Sequence, residues 1–169
     1  MANTYKLIET KVIPSATSSL SFTSIPSTYT DLLLKVSARS DTGAAFAGLV
    51  IAPNGSSTNY TLKWMGDAGG GLVSYTQTTF GYNHLCYIPG GGAASSIFGN
   101  AEITIHNYAS ANFKSVVCDG ANENNLAAIY QGISTGLWSS TTAISSLTFS
   151  TGGNFVTNTS FSLYGITKY

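Results

Sequence analysis

The sequence predicts an all-β protein, a jelly-roll-like antiparallel β-sandwich. Three observations carry that reading. In Asp31 to Arg39, the residues Leu32, Leu34, Val36 and Ala38 fall on one face and Asp31, Lys35, Ser37 and Arg39 on the other, the period of a half-buried strand. Strand signals of this kind recur every dozen or so residues, separated by runs of Gly, Ser, Asn and Pro. No stretch carries a helical repeat of apolar residues.

The elements follow in order. Tyr5 to Thr10 and Leu20 to Thr23 open the chain, and Pro26, which lacks an amide hydrogen and disfavours the α region at Ile25, forces a turn before Asp31 to Arg39. Gly48 to Ala52 leads into Pro53-Asn54-Gly55 and Thr58 to Met65 returns, a hairpin signal lengthened by Ser56-Ser57. Gly69-Gly70-Gly71 and Gly90-Gly91-Gly92 read as flexible loops around a section in which Phe80, Tyr82, His84, Cys86 and Ile88 share a face. Neither triplet is followed by the Lys-Ser/Thr pair of a phosphate loop. Ala101, Ile103 and Ile105 then alternate with Glu102, Thr104 and His106, one face dry and one wet. Lys114 to Asp119 is a short strand and Asn122 to Asn125 a polar loop. Leu126 to Trp138 reads as a strand in which Gly132 and Gly136 suggest bulges or a bend. Leu147 and Phe149, a Gly152-Gly153-Asn154 turn, and Phe161, Leu163 and Gly165 close the chain, giving roughly nine to eleven strands in one domain spanning residues 1–169.

Composition narrows the function. A chain of 169 residues buries roughly 70% of its unfolded surface, enough for a core without disulfide or metal. Charged residues are 8% of the chain, against about 25% in an ordinary soluble domain, so Ser, Thr, Asn, Gly and Tyr must cover the surface. With a net charge of +0, the chain has no electrostatic footprint for nucleic acid or an anionic membrane, and little repulsion opposes self-association. Contacts with protein or sugar are expected. No segment reaches about 18 uninterrupted apolar residues and the N-terminus lacks a signal-peptide pattern, so synthesis in a cytoplasm is expected. Cys86 and Cys118 read as two buried thiols or as a single disulfide. The Asn-x-Ser/Thr sequons at Asn54, Asn59 and Asn158 matter only in a secreted eukaryotic protein.

Chemistry-bearing residues are sparse. His84 and His106 lack metal-ligand spacing, and Glu102 and His106, on one strand face, stand about 13 Å apart. Asp41, Asp67, Asp119 and Glu123 adjoin turn residues, the setting of structural acids, while Glu9, Asp31 and Glu102 sit on strands. No catalytic residue, cofactor or metal is expected, and a pair of glycosidase carboxylates is the one enzymatic alternative. Aromatics crowd the middle third, where Tyr60 and Tyr87 accompany Trp64, Tyr75 and Tyr82. Those last three are the candidates for glycan or protein contact, against a plainer reading as core or subunit interface.

Three stretches, SFTSIPSTYTDLLLKVSARS at 21–40, EITIHNYASANFKSVV at 102–117 and GLWSSTTAISSLTFSTGGNFVTNTSFSLYGI at 136–166, resemble small β-rich virion proteins of tailed bacteriophages of cyanobacteria and aquatic bacteria. The resemblance implies a non-enzymatic structural protein on the virion. Its leading form is a capsid decoration or cement protein that binds the major capsid protein as a homotrimer. The alternative it implies is a tail-fibre tip or receptor-binding module that recognises host surface glycan through loops between Gly66 and Gly92.

Overall fold

In a computed structural model, which describes residues 4–78, 85–123 and 130–167, the chain is all-β with two antiparallel sheets. The strands are β1 (Tyr5–Val12), β2 (Thr17–Phe22), β3 (Asp31–Ala38), β4 (Phe46–Pro53), β5 (Tyr60–Ala68), β6 (Leu72–Gln77), β7 (Cys86–Pro89), β8 (Gly99–His106), β9 (Lys114–Ala121), β10 (Tyr130–Trp138), β11 (Leu147–Phe155) and β12 (Ser160–Ile166). The large sheet has eight strands in the order β1-β12-β3-β8-β9-β10-β5-β6, and the small sheet four, β2-β11-β4-β7.

The core lies between the sheets. From the large sheet come Leu32, Leu34, Val36, Ile103, Ile105, Val116, Phe161 and Leu163; from the small sheet Phe22, Leu49, Ile51, Leu147 and Phe149. Phe161 meets Phe149 at 4.9 Å and Phe155 at 5.5 Å between ring centroids, tying the layers together. Tyr108, fully buried, donates its hydroxyl to the Pro26 carbonyl and so fixes the proline turn that feeds β3.

The widest departure from ordinary packing is on the β5 flank. Trp64 is 2% exposed, stacks on Tyr75 at 5.4 Å and meets the edge of Tyr87. Phe46 stacks on Tyr130 and also meets Tyr87. Trp64 fits because Gly66 and Gly132 lie directly opposite one another in the register. A Cβ on either would come within 2.6–2.7 Å of the indole ring, and on Gly66 within 2.1 Å of the Gln131 carbonyl.

Several expectations are corrected. Gly132 and Gly136 form neither bulge nor bend, since β10 keeps unbroken register with both neighbours; Gly132 is small to admit an indole. Asn54-Gly55 does turn, with φ of 50° and 69°, but it joins no hairpin, because β4 belongs to the small sheet and β5 to the large one. The Asn54 carboxamide instead accepts from the Ser145 and Ser146 amides and donates to the Ala143 carbonyl, binding the crossover to the chain before β11. Gly152-Gly153-Asn154 is no turn either. It lies within β11 where the register jumps between Ser150 and Phe155, pulled aside as Asp41 accepts from the Asn154 amide (2.7 Å) and carboxamide (2.8 Å). Those bonds hold the exposed Asp41 carboxyl below its ordinary range.

Gly90-Gly91-Gly92 is pinned rather than free: its amides donate to the carbonyls of Ala45, Thr42 and Ala44 at 2.6–3.0 Å, an approach that leaves no space for a Cβ. Asp31, expected on the wet face, is 3% exposed, where it accepts from the Asn107 amide at 2.9 Å and lies 3.5 Å from His106. The strand count among the described residues is twelve, above the expected range, partly because the stretch after the first glycine triplet forms β6. Phe80, Tyr82, His84 and the start of the expected Leu126 to Trp138 strand lie outside the described residues.

Two predictions follow from this packing. Gly66→Ala is expected to cost about 1–3 kcal/mol, the ordinary penalty for overpacking, as a lowered urea midpoint; an unchanged midpoint would refute the seating of Trp64. Burial pushes the Tyr60 phenol up to about 12, although it donates to the Ser56 carbonyl, and pushes the Tyr75 and Tyr108 phenols up as well. An unfolded phenol sheds its proton near 10.0 while the folded one keeps it, so stability is full below that pH and falls as pH rises from 10.0 towards about 12. Urea melts across that window should show the decline, and Tyr60→Phe should make it shallower.

Candidate interaction surface

The inner face of the large sheet is occupied by the core, which leaves its outer face as the broad available surface. Cross-strand pairing arranges the outward residues in rows. One runs Ser74, Met65, Ile133, Asp119, Glu102, Lys35, Ser162 and Thr10, and the next Thr76, Lys63, Thr135, Val117, Thr104, Leu33, Tyr164 and Leu7. Both rows mix hydroxyl-bearing, charged and apolar side chains. Lys35 is paired with Glu102 across β3 and β8, which neutralises the centre of the face.

Two strands place apolar side chains on the outer face as well as the inner one. In β10 the inward residues are Tyr130, Gly132, Ser134, Gly136 and Trp138, while Ile133 (53% exposed) and Leu137 (37%) point outward. The inward phase is locked. Gly132 must seat Trp64, and the fully buried Ser134 hydroxyl donates to the Leu85 carbonyl at 2.5 Å. In β1, Lys6, Glu9 and Lys11 pair with the inward Gly165, Leu163 and Phe161, whereas Leu7 and Val12 pair with the outward Tyr164 and Ser160. Glu9 and Lys11 form an ion pair at 3.4 Å, and the Lys11 ammonium rests 5.5 Å from the centre of the Phe22 ring. Inward-pointing charges and the irregularity at Leu7–Glu9 are devices that deter pairing along a free strand edge. The exposed Tyr5, Leu7 and Val12 therefore add to the face of the sheet.

Apolar side chains thus mark both ends of the outer face. At the β5–β10–β9 end, Met65 stands opposite Ile133, with Val117 and Leu137 in the adjoining rows and Leu72, 77% exposed, on β6. Exposed apolar clusters of this kind, rimmed by polar residues, are the mark of an interaction surface.

Of the residues singled out from the sequence, Trp64 is buried, Tyr75 is half-buried and stacks on it, and Tyr82 lies outside the described residues. Cys86 and Cys118 are both buried free thiols; the neighbouring Cys86 and burial together hold the Cys118 thiol well above its ordinary value. Among the described residues no group of three or more His, Cys, Asp and Glu is placed to hold a metal ion. The outward apolar residues escaped the sequence reading because Ile133 and Leu137 alternate with small residues, a pattern that assigns them to a core.

Two cations are spent inside the fold. Lys114, fully buried, donates to the carbonyls of Ser110 (2.8 Å), Asn112 (2.5 Å) and Ser140 (3.2 Å), and its burial lowers the ammonium's pKa. Arg39 donates to the carbonyls of Ala93, Ala94 and Ile97 and so fastens the segment after the glycine triplet. Both act as clamps on loops.

Comparison with known proteins gives no further identification: no family model, no curated protein and no solved structure matches this chain.

Proposed function

We propose that the chain is a non-enzymatic structural protein of a bacteriophage particle, a capsid decoration or cement protein that docks by the outer face of its large sheet. The observation that carries this reading is the set of apolar side chains that β1 and β10 place outward, Leu7, Val12, Ile133 and Leu137, on a face they share with hydroxyl-bearing and charged residues. A surface with apolar side chains at both ends and the Lys35–Glu102 ion pair between them suits protein contact, where area comes from apolar groups.

The stretches at 21–40, 102–117 and 136–166 supply the virion setting by their resemblance, and the two-sheet arrangement is read as jelly-roll-like in keeping with it. Its mechanism is associative. In a homotrimer each chain offers the β1–β12 end of this face, with Tyr5, Leu7 and Val12, to the major capsid protein, and multivalent attachment turns weak single contacts into a lasting one.

Quantitative mass spectrometry of purified particles tests the assignment. The chain is expected in copy numbers that scale with the major capsid protein, and added protein should bind undecorated heads. A copy number at the level of tail proteins, or no binding to such heads, would overturn it.

A further inference from the structure

The outer surface of β5, β10 and β9 is one end of the face proposed above for docking, and the charges around it indicate what covers that end. Its apolar strip of Met65, Ile133, Val117 and Leu137 is flanked by charges of opposite sign, Lys63 on β5 and Asp119 on β9. Lys63 stands opposite Thr135, which stands opposite Val117; Met65 stands opposite Ile133, which stands opposite Asp119. The two charges therefore sit diagonally across the central strand. Both side chains are exposed, and neither has an ion-pair partner among the described residues.

We infer that this surface is where copies of the chain associate with one another, the β5 flank of one copy against the β9 flank of the next, with Lys63 facing Asp119 and the Ile133 strip buried between them. Two opposite charges on the flanks of one patch are what a self-complementary contact requires, since each copy supplies the partner that the other lacks. A foreign partner would have to reproduce both signs at the same spacing. Nothing in the overall charge opposes the approach, because the chain is neutral. The patch is also preorganised: β10 is in unbroken register on both sides, and its inward phase is held by the Trp64 seat and the Ser134 hydroxyl, so its outward residues cannot turn away. The strip supplies the area, and the rim pair sets orientation and register.

The inference stands apart from the virion reading, because it concerns the isolated full-length chain. Light scattering at micromolar concentration should give a whole multiple, two or more, of the 17.6 kDa chain mass. Ile133→Asp should reduce that to the mass of one chain, with the circular dichroism spectrum unchanged because the side chain is 53% exposed. Lys63→Glu should weaken association by about tenfold, the result of turning one rim attraction into a repulsion. Lys63→Glu combined with Asp119→Lys in the same chain should restore it. A wild-type chain at the mass of one copy, an Ile133→Asp chain that keeps the wild-type mass, or a double exchange that recovers nothing over Lys63→Glu alone would overturn the inference.

Discussion

The fold depends on closing a mismatch between its layers. Eight strands cannot be roofed by four without extra material at the margin, and on the β5 side that material is aromatic: Trp64, Tyr75, Tyr87, Phe46 and Tyr130 fill the space beyond β7, the edge of the small sheet. The indole needs a floor, which Gly66 and Gly132 provide by facing each other without side chains. That requirement passes outward. With Gly132 and Ser134 held towards the core, the alternate residues Ile133 and Leu137 fall on the outer face. The exposed Ile133 strip is thus a consequence of how the interior is packed.

Charge is distributed on the same logic. Of a small inventory of cations, Arg39 and Lys114 are drawn inside to satisfy backbone carbonyls of loops, and Lys35 is tied to Glu102. Buried backbone carbonyls without donors are costly, so an ammonium that reaches three of them serves the loop as a ligand would. The outer face is left with little net charge. The inward Lys6, Glu9 and Lys11 of β1 guard the free strand edge, which favours contact through the face over growth of the sheet by added strands.

Much of this was legible in the sequence where one face of a strand is wet and the other dry. The alternation of Leu32, Leu34 and Val36, and of Ala101, Ile103 and Ile105, reads directly as core, and the structure buries all six. The proline turn and the all-β class were legible for the same local reasons. Sequence reasoning fails where a residue's role is set by a distant partner. Gly132 looks like a bulge because the tryptophan it seats is 68 positions away, and Gly152-Gly153-Asn154 looks like a turn because Asp41 is not in view. Trp64 was singled out as an accessible aromatic, though nothing local distinguishes a ring on solvent from one over a glycine pair. The outward phase of Ile133 and Leu137 was not legible, since alternation reports that two faces differ and does not report which is inside.

The central claim is that the outer face of the eight-stranded sheet is the contact surface, and an electron cryo-microscopy map of the assembled particle, resolved to separate strands, tests it most directly. The account predicts that the outer face of β1, β12, β10 and β5 is buried against neighbouring subunits, with the small sheet towards solvent. A map in which the small sheet makes the contacts while Ile133, Met65 and Leu7 face open solvent would contradict it.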